Sequence, residues 1–222
     1  MSDIFREVDE DVRRENAARL WDKYSIYIYG LAFLIVLATA GWRGYDYWQT
    51  KQAEAAGARY EAALALIKSG KADEGQAALV KLQSDGPSGY ALLARFQLAA
   101  QLGAKDAAAG AKAYDALAAD ASVDAVLRDV ARIQSAYLTV DTMSAADVQQ
   151  RLSPLAQGTG PFRHAARELL GLSALKAKDY DNAGRWFDAI VADAATPEGI
   201  RSRAEAFIGL VQSARPAQKS GG

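Results

Sequence analysis

The sequence predicts an all-α fold, in which one transmembrane helix near the N-terminus is followed by an α-solenoid of divergent helix pairs. Three observations lead to this prediction. One stretch of 19 residues is strongly apolar and carries no charge. The chain after this stretch lacks the alternating β-branched runs that are typical of strands. In the same part of the chain, a motif of small, large apolar and acidic residues recurs in a fixed register.

The apolar stretch covers residues 24–42 and reads YSIYIYGLAFLIVLATAGW. Lys23 and Arg43 bound it. Because an α-helix rises about 1.5 Å per residue, a helix of this length nearly spans the roughly 30 Å hydrocarbon core of a bilayer. Amphipathic aromatic rings favour the headgroup region, which suits those at or near the two ends, namely Trp21, Tyr24, Tyr27, Tyr29, Trp42, Tyr45, Tyr47 and Trp48. The stretch therefore predicts a single membrane span in contact with lipid.

Two other interpretations of this stretch stay open at the level of the sequence. It could be a buried core helix, although soluble domains rarely contain an apolar run of this length on all faces. It could also be a cleaved signal peptide, since Ala38-Thr39-Ala40 resembles a cleavage site. Against cleavage, residues 1–23 hold seven acidic and five basic residues, whereas the segment before a signal sequence is short and positive.

Lysine and arginine residues near the span predict its orientation. The 15 residues before it contain Arg13, Arg14, Arg19 and Lys23, and the 15 residues after it contain Arg43 and Lys51. Because basic flanks stay preferentially in the cytoplasm, this bias predicts a cytoplasmic N-terminus. The C-terminal part would then lie outside the cytoplasm, which in a bacterium means an inner-membrane protein with a periplasmic domain.

The predicted organisation has four segments. Residues 1–23 form a cytoplasmic tail, either as a short amphipathic helix or as a partly ordered segment. Residues 24–42 form the transmembrane helix, residues 43–214 form the helical repeat domain, and residues 215–222 form a flexible tail.

Composition argues against catalysis, cofactor binding and nucleic-acid binding. The formal net charge is −1, whereas nucleic-acid binding needs a concentrated positive surface. The chain has no cysteine, which excludes disulfides, thiolate metal sites and cysteine nucleophiles. His164 is its single histidine, and we expect an exposed or half-buried residue on a repeat helix. These observations predict a protein that is not an enzyme and has no metal site and no small-molecule substrate.

Helix-forming residues dominate the chain after the span, and proline and glycine fall between periodic stretches. Thr196-Pro197-Glu198 has the composition of a helix start, with a hydroxyl cap, a proline at the first helical position and an acidic residue in the first turn. The predicted helices cover residues 46–68, 72–83, 88–102, 106–119, 123–139, 145–156, 162–177, 180–193 and 198–213.

An internal repeat decides the predicted architecture. Residues 104–120 align without gaps with residues 177–193, and residues 72–87 match them more loosely. The first shared position is small, the position four residues later is large and apolar, and apolar and acidic positions follow at intervals of three. In order, these positions hold Gly75, Gly110 and Ala183; Leu79, Tyr114 and Phe187; Leu82, Leu117 and Ile190; and Asp85, Asp120 and Asp193. A degenerate unit between them has Val148, Leu152 and Leu155.

Packing between antiparallel helices explains this spacing, because a small residue lets two helices approach and a large residue one turn later fills the gap beside it. The pattern resembles the tetratricopeptide repeat, a helix pair that recurs about every 34 residues. Pro87 lies where that repeat often has a proline, whereas Leu98 replaces the small residue expected on the first helix of the second unit. The alternative is an alanine-rich helical bundle whose repeats are only compositional.

The whole chain also resembles a known family of membrane proteins. An acidic tail beginning MSDIFREVDEDVRRE, a span ending in Gly41-Trp42-Arg43 and divergent helix pairs are similar to the YfgM-type ancillary subunits of the bacterial SecYEG translocon. Residues 90–101, YALLARFQLAAQ, resemble the first helix of a repeat in that family. The resemblance implies a periplasmic domain that works beside translocon subunits with periplasmic chaperones on emerging polypeptides.

The first helices of tetratricopeptide pairs usually form the binding face, and four residues of this chain are candidates for contact with a partner: Tyr60, Arg95, Glu168 and Lys176. Each is also compatible with an ordinary solvated position. Trp186 could anchor a partner, although packing between helices also explains it. The functional alternative to a translocon subunit is a tethered repeat scaffold for cell-envelope or cell-wall assembly.

Overall fold

A computed structural model describes the backbone of residues 3–214 and confirms the all-α fold. Over that range the chain forms helices only. They are α1 (Asp3–Lys68), α2 (Ala72–Asp85), α3 (Ser88–Lys105), α4 (Ala107–Ala119), α5 (Ala125–Thr139), α6 (Ala145–Gln157), α7 (Arg163–Lys176), α8 (Tyr180–Val191) and α9 (Glu198–Ala214). The bounds of α2–α9 lie within three residues of those predicted from the sequence.

Helix α1 is the main departure from the predicted helices. The sequence predicts a span at residues 24–42 and a separate helix at 46–68, but the structure has one continuous helix from Asp3 to Lys68. Gly44 lies between the two predicted elements and Gly41 lies near the end of the predicted span, and neither glycine ends the helix. An isolated glycine costs a helix only about 1 kcal/mol, and α1 contains no proline.

The described chain divides into two compact units, one up to Gly57 and one from Ala58 onward. The first unit is helical and its apolar stretch has no protein cover. An 18-residue window of α1 has a mean hydropathy of 1.8 and none of its residues is buried. The large side chains that are exposed there include Ile26, Tyr27, Leu31, Phe33, Leu34, Ile35, Val36 and Leu37. By length and composition, this helix can cross a membrane.

The second unit comprises the last turns of α1 and helices α2–α9, packed as successive antiparallel pairs. The pairs are the end of α1 with α2, α3 with α4, α5 with α6, and α7 with α8, and α9 packs against α8. Helix α7 also contacts α5 on one hand and α9 on the other. We call α3, α5 and α7 the first helices, and α2, α4, α6 and α8 the second helices.

The predicted repeat positions form the core of this unit. Gly75, Gly110 and Ala183 are buried, as are the larger residues four and seven positions later: Leu79, Leu82, Tyr114, Leu117, Phe187 and Ile190. These side chains belong to apolar clusters that each join adjacent helices, such as Ala99, Tyr114, Leu117 and Ala131 in one and Ala183, Phe187, Ile190 and Ala204 in another.

Close approach of the helices requires the small residues. A Cβ atom on Gly110 of α4 would lie 2.2 Å from the Cα of Gly103 on α3. A Cβ on Gly171 of α7 would lie 2.6 Å from the ring of Phe187 on α8. Both distances are shorter than any carbon–carbon contact allows, so a larger residue would push the paired helices apart.

The degenerate unit packs differently from the others. Val148 and Leu152 are buried as predicted, but Leu155 is only half-buried and Ala156 takes the third core position. The core face of α6 therefore recurs every four residues, which is the spacing of one helical turn. Helix α5 packs more extensively on α4 than on its partner α6, so the weakest motif in the sequence belongs to the loosest pair.

Candidate functional site

Helices α5, α7 and α9 share one face, which three side chains connect. Glu168 of α7 lies between Tyr137 of α5 and Arg203 of α9. Arg203 donates to the two carboxylate oxygens of Glu168 from Nε at 2.6 Å and from Nη2 at 2.9 Å. The hydroxyl of Tyr137 donates to Glu168 Oε2 at 3.4 Å. These contacts join α5, α7 and α9 into one continuous surface, and its role in binding stays a prediction.

Glu168 is not the solvated residue that we expected from the sequence. Its side chain is 4 % exposed, and Arg203 covers its charge. Burial of a carboxylate is costly unless it is paired, and this bidentate pair meets that need. Hydrogen bonding to Glu168 raises the pKa of Arg203, and burial followed by the charge of Glu168 raises the pKa of Tyr137. The exposed groups at this point are Arg203 and Tyr137.

Arg95, the second candidate, forms an ion pair at the end of its own repeat unit. Its Nη1 lies 2.8 Å from Asp120 Oδ2, just after α4. Asp120 Oδ1 also accepts from the backbone N–H of Ser122 at 3.0 Å and from the Ser122 hydroxyl at 2.6 Å. The hydrogen bonds from Ser122 first, and then Arg95, lower the pKa of Asp120 to about 2. The sequence alignment identified Asp120 but not its arginine partner.

The other two candidates lie in different surroundings. The ring of Tyr60 lies 6.5 Å from that of Tyr90 on α3, measured between centroids, and burial raises its pKa. Lys176, at the end of α7, donates from Nζ to the backbone carbonyl of Asp141 between α5 and α6. Both residues keep part of their side chains at the surface, and their contact with a partner remains a prediction.

Asp193, which is equivalent to Asp120 in the repeat register, forms a larger cluster. Its Oδ2 accepts from Arg163 Nε at 3.0 Å and from Arg167 Nη1 at 3.2 Å, and its Oδ1 accepts from the backbone N–H of Ala195 at 3.0 Å. The hydrogen bond from Arg163 is the largest of the interactions that hold the pKa of Asp193 well below its usual range. Asp120 and Asp193 thus each close the turn after a second helix and bind an arginine of the first helix of the same pair.

The carbonyl groups at the end of α8 are satisfied by side chains. Arg167 donates to the carbonyl of Ala189 at 3.2 Å, and Arg201 donates to the carbonyl of Asp193 at 2.9 Å. The hydroxyl of Thr196 donates to the carbonyl of Ile190 at 2.6 Å. This bond uses only the proton of the hydroxyl, whereas a helix cap uses the oxygen as an acceptor, so the cap of α9 by Thr196 stays a prediction.

His164 is buried, contrary to our expectation of an exposed or half-buried residue. It is 3 % exposed. Its Nδ1 lies 3.0 Å from the hydroxyl oxygen of Thr196, and its Nε2 has no hydrogen-bond partner. Burial first, and then the charge of Arg163, lower the pKa of His164. A neutral imidazole in this position is part of the helix junction.

Among the residues that the structure describes, no group of three or more histidine, aspartate, glutamate or cysteine side chains is placed to hold a metal ion. Residues 18–203 match the model of the family described as the tetratricopeptide repeat-like domain. The chain belongs to this family. No curated protein and no solved structure matches it. Tetratricopeptide repeat-like domains are typically scaffolds for protein–protein interaction and not enzymes.

Two clefts of the tetratricopeptide repeat-like domain lie between second helices. One, of about 470 Å³, is lined by Asp115, Arg132 and Arg151 on α4, α5 and α6. The other, of about 280 Å³, is lined by residues of α6, α7 and α8 that include Trp186. Trp186 is half-buried and packs against the apolar cluster around Leu169, which supports the helix-packing interpretation of this residue.

Proposed function

We propose that this chain is a membrane-tethered interaction protein whose tetratricopeptide repeat-like domain binds other proteins and performs no catalysis. The observation that carries the proposal is the combination, in one chain, of this domain with an uncovered apolar helix. Either feature alone has several explanations. Together they fit a scaffold whose position at a membrane is part of its function.

The exposure of the apolar stretch supports membrane insertion of α1. Large apolar side chains such as Phe33, Leu34 and Val36 are each 63 % exposed. Soluble proteins rarely expose contiguous apolar surface of this extent, whereas a lipid bilayer would cover it. The core-helix alternative predicts burial of these side chains within the protein, which is not found for the described part of α1.

We further propose that α1 crosses a bacterial inner membrane with its N-terminus in the cytoplasm and the repeat domain in the periplasm. The excess of Lys and Arg before the span supports this orientation. The resemblance to YfgM-type subunits favours translocon subunits and periplasmic chaperones as partners, with emerging polypeptides as clients. The binding surface in this proposal is the face formed by α5, α7 and α9, where Tyr137 and Arg203 are exposed.

Topology is tested first, by protease treatment of spheroplasts and of inverted membrane vesicles. We expect the repeat domain to be digested in spheroplasts and protected in inverted vesicles. Protection in spheroplasts and digestion in inverted vesicles would disprove the orientation. Recovery of the intact chain in the soluble fraction would disprove the membrane anchor.

Partners are tested by site-specific photocrosslinking in intact membranes. A photoreactive residue at Tyr137, on the proposed binding face, is compared with one at Lys112, an exposed residue of the second helix α4. We expect translocon or chaperone adducts from position 137 and few from position 112. Equal adducts from both positions would disprove the assigned face, and adducts with unrelated proteins alone would disprove the translocon role.

A further inference from the structure

The junction of α7, α8 and α9 fixes the tautomer of His164. The hydroxyl of Thr196 has one proton, and its 2.6 Å contact with the carbonyl of Ile190 uses that proton. The 3.0 Å contact between His164 Nδ1 and the same hydroxyl oxygen therefore requires Nδ1–H as the donor. In a neutral imidazole the other nitrogen, Nε2, then carries a lone pair and no proton.

His164 Nε2 is buried without a partner, and it faces a strongly charged cluster. Asp193 Oδ2, after α8, lies 3.7 Å from it. The charged groups that act on the imidazole are Arg163 and Arg167 from α7, Asp193 from the segment between α8 and α9, and Arg201 from α9. Three guanidinium groups and one carboxylate thus act on a neutral ring, and two of the guanidinium groups bind that carboxylate.

A proton on Nε2 would raise the net positive charge of this cluster. It would add a fourth positive charge without a second carboxylate, in a buried position where the cost of charge is high. The new Nε2–H would also need an acceptor, and the nearest is Asp193 Oδ2, which already accepts from Arg163 and Arg167. The imidazolium would therefore compete with the two arginines that fasten the end of α8 to α7.

The same cluster holds the start of α9. Thr196 joins His164 to α8, and Arg201 of α9 donates to backbone carbonyls of Val191 and Asp193. Beyond it, α9 is docked by apolar contacts, including the stacked rings of Phe187 and Phe207, whose centroids are 5.1 Å apart. As the last described helix, α9 packs mainly on α8 and α7, so it can open without unfolding the other pairs.

We propose that His164 is an acid-sensitive latch, whose protonation releases α9 from the end of the solenoid. The neutral, Nδ1-protonated ring closes the latch through Thr196. The charged ring opens it, because its Nε2–H draws Asp193 away from the arginines and its charge repels them. Release exposes the apolar surface around Phe187 that α9 covers.

The first test is NMR of the full chain in detergent micelles. Because His164 is the only histidine, one imidazole signal reports the whole titration. We expect ¹⁵N shifts of the Nδ1–H tautomer at neutral pH and protonation only below the ordinary histidine range. An Nε2–H tautomer, or titration at the unperturbed pKa of about 6.5, would overturn the proposal.

The second test is hydrogen–deuterium exchange of the same sample between pH 7.5 and pH 5, corrected for intrinsic exchange rates. For a single linked proton, the equilibrium constant for opening rises by up to about tenfold per pH unit below about 6.5. We expect this acceleration in the peptides of α9, with little change in α2–α4.

Two variants separate the latch from general acid sensitivity. His164→Asn keeps an N–H donor near Thr196 and does not titrate, so exchange in α9 should lose its pH dependence. Phe207→Leu weakens the apolar docking of α9 and should accelerate exchange there equally at every pH. Unchanged pH dependence in His164→Asn, or acceleration spread evenly over α2–α9 in the unmodified chain, would overturn the proposal.

Discussion

Gly171 of α7 and Phe187 of α8 meet so closely that no side chain larger than hydrogen fits between them. A Cβ on Gly171 would lie 2.6 Å from Cε1 of the ring and 2.7 Å from Cζ. The ring is fully buried and also stacks on Phe207, so it has little room to move away. This contact fixes the separation of the last helix pair.

Gly171→Ala should therefore destabilise the domain. Overpacking of a dense core typically costs about 1–3 kcal/mol, more than the helix gains from alanine. The matched control is Gly209→Ala in α9, where an added Cβ meets nothing within 4 Å and should be neutral or slightly stabilising. Urea unfolding followed by circular dichroism measures both. Equal stability of the two variants would contradict the close approach.

Arg203→Ala should destabilise the domain by about 1–3 kcal/mol, because it leaves the buried carboxylate of Glu168 without its main partner. Replacing both residues by methionine should recover most of this loss, since no buried charge then remains. A double-mutant cycle of Glu168→Met, Arg203→Met and the double variant, followed by urea unfolding, measures the coupling. If the double variant is as unstable as the sum of the two single variants, Glu168 and Arg203 do not act as a pair.

Asp120 should make the domain sensitive to acid at low pH. Its folded-state pKa is lowered from 3.8 to about 2, so its contribution to stability is fully present above pH 3.8 and is lost as the pH falls toward 2. Asp120→Asn should flatten the dependence of the unfolding midpoint on pH in this window. Asp73→Asn, at a nearly fully exposed aspartate, serves as the control and should keep the original dependence. If the unfolding midpoint of Asp120→Asn depends on pH in the same way as that of the unmodified chain, this role of Asp120 is disproved.

Leu34→Arg should weaken membrane insertion. An arginine at the centre of a span is unfavourable by roughly 2.5–3.5 kcal/mol on insertion scales. Carbonate extraction of membranes should release more of this variant than of the unmodified chain. Leu93→Arg makes the same chemical change at an exposed position of α3 and should leave extraction unchanged. Equal release of the two variants would contradict insertion of residues 24–42.

The periodic spacing of apolar and small residues predicts most of the fold. The spacing of Gly75, Leu79 and Leu82 repeats in later pairs because one turn of helix separates the residues that must meet a neighbour. Such contacts lie within one helix pair, so they produce a pattern over a short stretch of the sequence. Helix ends were equally predictable where an aspartate caps the next helix, as Asp106 and Asp179 do.

The polar part of the candidate site was not predictable in the same way. Glu168 has the composition of a surface residue, and only Arg203, 35 residues later, makes its burial possible. His164 and Thr196 are 32 residues apart and meet because α8 ends between them. The continuity of α1 is hidden for another reason, because the change from apolar to polar composition near residue 43 is typical of a helix boundary.

The pairing of an arginine with the aspartate that ends the same repeat unit also bears on the order of folding. Arg163 and Asp193 are 30 residues apart, and Arg95 and Asp120 are closer still. Contacts of such short range close small loops, which form fast and need nothing from later parts of the chain. Each of these two helix pairs can therefore complete its own closing contacts while the chain behind it is still being made, which suits a domain that folds progressively from its N-terminal side.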